Sequence, residues 1–388
     1  VLVVGAGPAG SATALLLARA GVDVRIIERA QFPRRKVCGE YLNSGAVEAL
    51  ARLGVLEAVT AAGSPLRGVR LVASGAPPVS LAFSRPACSC ARELLDALLL
   101  DAALAAGAVV ERARVDDLIV EDARCAGVRV RTEDGALEDR RAAVVVGADG
   151  IGSVVARKLG LTKPLRRGAR YAVGGHYVGF GAFDQHVEMY AGAGAYFALN
   201  PLSEVSANVM VVVPKQRLAA WSRDVDAGVG GAAAALGRGV RSFDHATRLG
   251  PRVSMGPLAH DVRRASAPGA LLVGDAAGFL DPFTGQGIFL ALTGAERAAA
   301  AILEALRDPA REAGALGDYA RWRANDMTWR RRLCRAVALL VDVPPLARRA
   351  ATRLARFPDA GATLLDALAG AIPPQRALRP AVLGRLLA

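Results

Sequence analysis

The run Val1-Leu-Val-Val-Gly5-Ala-Gly7-Pro8-Ala9-Gly10-Ser11-Ala-Thr-Ala-Leu-Leu-Leu-Ala-Arg-Ala20 decides the fold. Residues 1–4 read as a short apolar strand, the glycines as a tight turn, and the stretch from Ser11 as an apolar helix. Gly5 permits the turn, Gly7 lets a backbone approach a pyrophosphate, and Gly10 lets helix and strand pack closely. Pro8 and Ala9 open the helix, whose bare N–H groups and dipole favour two phosphate charges. A second strand over residues 22–28 ends in Glu28, eighteen positions after Gly10. Its carboxylate is placed to accept hydrogen bonds from a ribose diol and to repel a 2′-phosphate. Strand, turn, helix and acid arrive in order, so the segment is expected to bind a dinucleotide. A second glycine run, Gly228-Val-Gly230-Gly231, follows polar sequence and lacks an acid-tipped strand. It reads as a loop, with residues 231–236 an ordinary helix start.

A plain nicotinamide domain would continue into another helix after Glu28. The chain instead runs through Arg29-Ala-Gln-Phe-Pro33-Arg34-Arg35-Lys36-Val-Cys38-Gly39-Glu40, an irregular basic stretch that suits a phosphate, an anionic flavin edge or a solvated loop. Asn43-Ser44 then caps a helix ending near Gly54. Two more apolar strands end in a carboxylate. Val144-Val-Val-Gly147-Ala-Asp149-Gly150 leads to Ser153 as a helix cap. Ala270-Leu-Leu-Val-Gly274-Asp275 leads through Asp281-Pro282-Phe-Thr-Gly285-Gln286-Gly287-Ile288 into a helix over about 288–306. Asp275 can bind sugar or ribityl hydroxyls, and the glycines leave the helix N-terminus bare for a developing negative charge. Arg92 begins an apolar helix where its guanidinium can reach a phosphate.

Together, Gly5-x-Gly7-x-x-Gly10 with Glu28, Asp149-Gly150 and Gly274-Asp275 resemble the three fingerprints of flavoproteins with the para-hydroxybenzoate hydroxylase fold, across about residues 1–330. The resemblance implies FAD, with Gly5, Gly7 and Gly10 at the pyrophosphate, Glu28 at the adenosine ribose and Asp275 at the ribityl chain. It also implies Arg92 before the middle segment and Val115 touching adenine through its backbone. Cys38-Gly39-Glu40 and the segment from Asp281 to Ile288 look most like the geranylgeranyl-reductase-related branch. Flavin-dependent halogenases and group A monooxygenases are near relatives of that branch. The halogenase pattern Trp-x-Trp-x-Ile-Pro aligns with Tyr196-Phe197-Ala-Leu-Asn-Pro201, which has neither Trp, so halogenation is disfavoured.

The expected fold class is α/β: a discontinuous Rossmann-like FAD-binding domain with an inserted β-sheet substrate domain and a C-terminal helical tail. The FAD-binding pieces are placed at 1–68, 85–164 and 264–330. The substrate sheet takes 69–84 and 165–263, and the helical extension takes 331–388. The wall of the substrate pocket is expected among His176, Tyr190, Tyr196, Phe197, Asn208 and Met210, with the phase of the strands open.

Three readings follow. In the first, reduced FAD passes hydride to a carbon–carbon double bond of an isoprenoid or polyketide-like molecule, and Cys38 or Tyr41 protonates the adjacent carbon. In the second, the protein is an NAD(P)H- and O2-dependent monooxygenase that hydroxylates or epoxidises. In the third, FAD is structural and the chain has no redox role. With one dinucleotide motif, NAD(P)H or another electron donor would visit transiently.

Composition bounds the partners. The formal charge is +13, and residues 321–388 hold thirteen Arg against four Asp. Aromatics are 5% and do not interleave with the arginines, which disfavours nucleic acid. A basic tail facing anionic membrane, an acidic carrier partner or plain solvent fits better. The five cysteines and four histidines are scattered without ligand spacing, so no metal or disulfide framework is expected. A reducing cytoplasm fits that usage, and neither a secretory signal nor a bilayer-spanning run is read. Val1 lies inside an element, so a few residues are expected before it.

Overall fold

The computed structural model describes residues 1–73, 77–164, 170–192, 195–218 and 241–387. The Gly228–Gly231 loop and the helix start at 231–236 lie outside them.

The first strand, Leu2–Val4, takes its place at the middle of an eight-stranded sheet. It is flanked in parallel by Arg25–Glu28 and Val145–Gly147, with Leu2 beside both Arg25 and Val145. Ala270–Leu272 and Val109–Glu121 extend the parallel core on either side. Val3, Ile26, Val146 and Leu271 are fully buried because helices cover both faces. Helix Pro8–Arg19 packs against Arg92–Ala105 and Gly287–Arg307. Because these strands run the same way, Gly5, Glu28, Asp149 and Gly274-Asp275 all follow or end strands at one edge. An open parallel sheet binds its ligands in the crevice at that edge.

A second sheet of eight strands is mostly antiparallel and takes in Tyr41–Leu42, Ser64–Ala73, Val79–Ser89, Arg170–Val178 and the strands from His186 to Met255. Its alternation is sharp. Val173, Tyr190, Phe197, Leu199, Val209 and Val211 build a separate apolar core on one face. Ala172, Met189, Tyr196, Ala198, Met210 and Val212 point to the other face, toward the first sheet's crevice. The strands that carry the 69–84 piece of the expected substrate sheet run from Ser64 to Ala73 and from Val79 to Ser89.

Helix Glu312–Asp342 runs through the expected tail boundary at 330/331. No Gly or Pro interrupts residues 318–343, so nothing stops the helix before Pro344. The later helices Pro344–Arg356, Pro358–Ala369, Pro374–Ala377 and Pro380–Leu387 each start on a proline, whose missing N–H costs nothing at that position. Among the described residues no helix is long and apolar enough to cross a membrane.

Candidate functional site

Between the two sheets lies a cavity of about 1270 Å³. One end is polar and belongs to the first sheet. Gly5 turns the chain at φ +100°, and a Cβ on Gly10 would stand 1.8 Å from the Gly5 carbonyl oxygen, so only glycine closes this turn. Gly10 therefore packs helix on strand, while Gly7, Pro8 and Ala9 face the cavity. Gly7 caps helix Pro8–Arg19 without a side-chain hydrogen bond, which leaves its first N–H groups for a ligand. Helix Gly287–Arg307 is likewise uncapped by any side chain, and Gly285, Gln286, Gly287 and Ile288 also line the cavity.

The acids sit around this end. Glu28 accepts N–H bonds from Ala6 at 2.7 Å and Ala30 at 2.8 Å, which fixes its carboxylate at the cavity wall. Asp149 accepts from the Val154 N–H at 2.6 Å, and its other oxygen is buried with no partner among the described residues. Burial pushes its carboxyl above the usual range, although Ser153 and Val154 pull it back. Asp275 is raised by burial too, against the pull of Arg92, Arg323, Lys36 and His260.

Arg29, Arg34, Arg35, Lys36 and Arg92 line the same end. Burial lowers the Lys36 pKa first, and Arg34, Arg92 and Arg29 lower it further. Such crowding of like charge is relieved by a bound anion. Arg92 does not offer its whole fork to a phosphate, as the sequence suggests. It holds Asp96 at 2.7 and 2.8 Å, and Arg34 stands 3.3 Å from the same carboxylate. Asp96 is fully buried and escapes sequence reading. Val115, Gly150, Gly274 and Pro282 complete the wall. The bare helix N-termini, the orphaned Asp149 oxygen and the cation cluster fit an extended, diphosphate-bearing dinucleotide.

The other end is apolar. Leu71, Leu81, Phe83, Val187 and Met189 come from the second sheet. Val337, Ala347, Ala350, Leu354, Leu364 and Leu368 come from the C-terminal helices, which sequence reading left outside the site. The spacing of Ala347, Ala350 and Leu354 along one helical face is the signal that could have found them. Arg323 is a second omission. It is 2% exposed and donates to the carbonyls of Gly274 at 3.2 Å and Gly278 at 3.4 Å, bracing the turn that carries Asp275.

The expected pocket residues divide. Tyr196 and Met210 line the cavity, and the Tyr196 hydroxyl donates to Asp281. Tyr190 and Phe197 do not. They stack on each other at 4.6 Å on the far face, because strand alternation turns Met189, Ala191, Tyr196 and Ala198 inward instead. His176 and Asn208 miss the main cavity and line a small hollow beside it, with Met210. Cys38 and Tyr41 are both on the cavity wall. Burial raises the pKa of each, so both hold their protons at neutral pH. No cluster of three metal-ligating side chains occurs among the described residues.

A crevice at the carboxyl ends of parallel strands, two bare helix N-termini and an acid ending the second strand have the layout of a dinucleotide-binding site. Comparison with known proteins agrees: the model of the FAD-binding domain family matches residues 1–328, and the chain belongs to that family, an FAD-dependent oxidoreductase. The chain is 31% identical over 343 residues to digeranylgeranylglycerophospholipid reductase 1 of Methanopyrus kandleri, covering 83% of this chain and 85% of that protein. It is 30% identical over 324 residues to the menaquinone reductase of Mycolicibacterium smegmatis, covering 74% and 72%. The solved structure of the flavin-dependent brominase Bmp2 shares the fold, with a TM-score of 0.83 at 21% identity over 95% of this chain and 92% of that one.

Proposed function

We propose that this protein reduces carbon–carbon double bonds in a long apolar molecule of isoprenoid type, with electrons from NAD(P)H or another external donor. The observation that carries the reading is the continuity of the polar cradle with an apolar chamber walled by Leu71, Phe83, Met189, Ala347, Leu354 and Leu368. A molecule long enough to fill that chamber would meet the cofactor end of the cavity with one of its carbons. The relatives named as reductases of a digeranylgeranyl lipid and of a menaquinone support the choice.

Bound FAD supplies the hydride and accepts the donor's electrons. The chain's own residues do the rest. Arg29, Arg34 and Lys36 neutralise the diphosphate, and the open end of helix Gly287–Arg307 faces growing negative charge. The apolar wall excludes water. Cys38, the better acid of the two wall candidates by ordinary pKa, protonates the second carbon.

Stopped-flow mixing of the chemically reduced holoprotein with a geranylgeranyl-chain lipid, without oxygen, tests the reaction. Flavin reoxidation matched by loss of a double bond is expected. Turnover only in air, with oxygen found in the product, would instead establish the monooxygenase.

The outer faces of the tail are basic, with Arg332, Arg335, Arg348 and Arg356 exposed. Such a surface suits peripheral docking of a cytoplasmic protein on anionic lipid, the source of an isoprenoid substrate. Salt-sensitive co-sedimentation with phosphatidylglycerol vesicles, absent with phosphatidylcholine, is expected. Equal sedimentation with both would remove the idea.

A further inference from the structure

Behind Cys38 lies a hollow of about 10 Å³, walled by Lys36, Cys38, Glu40, His176, Asn208 and Met210. The reaction above makes no use of it, yet the polar side of its wall is held at many points. Glu40 has φ +57°, a conformation that a residue with a Cβ keeps only when its surroundings impose it. Its carboxylate accepts from the Arg92 N–H at 2.9 Å and lies 2.8 Å from His176 Nε2. Asn208 donates to the Cys38 carbonyl at 2.6 Å, and Asn200 donates to the Gly39 carbonyl at 2.9 Å.

His176 and Asn208 are direct cross-strand neighbours. On the other side of His176 the ladder slips between Gly174 and His176, the kind of bulge that re-aims a side chain. Asn208 is 2% exposed, and its Oδ1 has no partner among the described residues. A hollow of this size accommodates about one water, which needs two to four polar neighbours. Asn208 Oδ1, the His176 ring, Lys36 and the Cys38 thiol meet that need.

We propose that His176, Glu40 and Asn208 form a proton-supply station for the Cys38 thiol, with one water in the hollow as carrier. The proposal rests on the reductase reading, with Cys38 as the acid. In each turnover the S–H bond breaks and its proton joins the substrate carbon next to the one that takes the hydride. A thiolate remains. The water protonates the sulfur and takes a proton from the His176 ring, which regains one from solvent through its partly exposed edge. Glu40 holds the ring, and Asn208 Oδ1 holds the water. Lys36 and Arg35 on the thiol's own loop, together with Arg92 from the neighbouring helix, set positive charge around the transient thiolate.

Anaerobic kinetics of the holoprotein with a geranylgeranyl-chain lipid and excess dithionite as electron donor separate use of the proton from its resupply. H176Q is expected to show a burst of about one turnover per site, then a steady rate about 10²-fold below wild type, restored in part by added imidazole. E40Q is expected to show the same pattern more weakly, and C38S to lose the burst as well. Unchanged bound-FAD absorbance reports that each variant folds. A steady rate in H176Q equal to wild type, or a uniform loss that imidazole does not restore, overturns the station and leaves the reductase reading standing. Wild-type protein that leaves every double bond intact overturns that reading, and the station with it.

Discussion

At the scale of single residues, the site is set by a few contacts that allow no substitute. Gly10 is one. An alanine there would place its Cβ 1.8 Å from the Gly5 carbonyl oxygen, a backbone atom with nowhere to go. Gly10→Ala is expected to cost about 3 kcal/mol or more and to lower flavin content in the purified protein. Thermal melting with flavin absorbance checks both.

Cys88 and Cys90 lie off the cavity wall, and burial raises their thiols as it raises that of Cys38. Burial raises Cys88 from 9.0 to about 11, and it raises Cys90 to about 12, with Cys88 and Glu40 nearby adding to the rise. A raised pKa means that the folded chain binds the proton more tightly than the unfolded one. Their contribution to stability is therefore complete below pH 9 and drains away as pH climbs through about 11 to 12. Denaturant midpoints should fall over that window, and less steeply in Cys88→Ala. An unchanged slope in that variant would rule the thiol out as the cause.

At the scale of elements, helix Arg92–Ala105 joins the cation cluster to the core through its acids, Asp96 toward Arg92 and Arg34 and Glu93 toward Arg35. Asp96 is fully buried and balances Arg92 and Arg34. Removing it leaves those guanidiniums buried without a counter-charge. Asp96→Ala is expected to destabilise the FAD-free protein by about 3–5 kcal/mol. The loss should be smaller with FAD bound, since the diphosphate replaces part of the missing charge. Parallel unfolding curves with and without FAD measure the difference, and equal losses would show that the cations do not face the ligand. Helix Glu312–Asp342 supports the same end of the cavity, where Arg323 braces the Gly274-Asp275 turn and Arg330 donates to Gln286 at 2.7 Å.

At the scale of the whole molecule, the cavity exists only because three parts of the chain close on it. The first sheet provides the polar end, the second sheet a wall, and the C-terminal helices the far side of the apolar chamber. Ala347 is 7% exposed, on a helix whose inner face lines that chamber. Ala347→Trp should fill part of it, leaving FAD bound but shifting preference toward shorter prenyl chains by tenfold or more. That corresponds to about 1.4 kcal/mol or more of lost binding for the long substrate. Relative kcat/KM for chains of two, three and four isoprene units reads the shift. An unchanged ratio would place the substrate elsewhere.

The chain's linear order determined the cofactor end of this protein. Gly5, Gly7, Gly10 and Glu28 lie within one strand–turn–helix–strand unit, and Asp149 and Asp275 each terminate a strand of the same parallel sheet. Local periodicity and turn chemistry suffice there, because each residue's position follows from its own element. The apolar end was decided by tertiary structure. Whether Tyr190 or Met189 faces inward depends on the phase of a strand flanked on both sides, and alternating apolar residues leave that phase open when both faces are buried. The Asp96 ion pair, the Arg323 brace and the tail helices over the chamber join residues far apart in sequence. Such contacts arise only when separate elements pack, and no local pattern encodes which elements will meet.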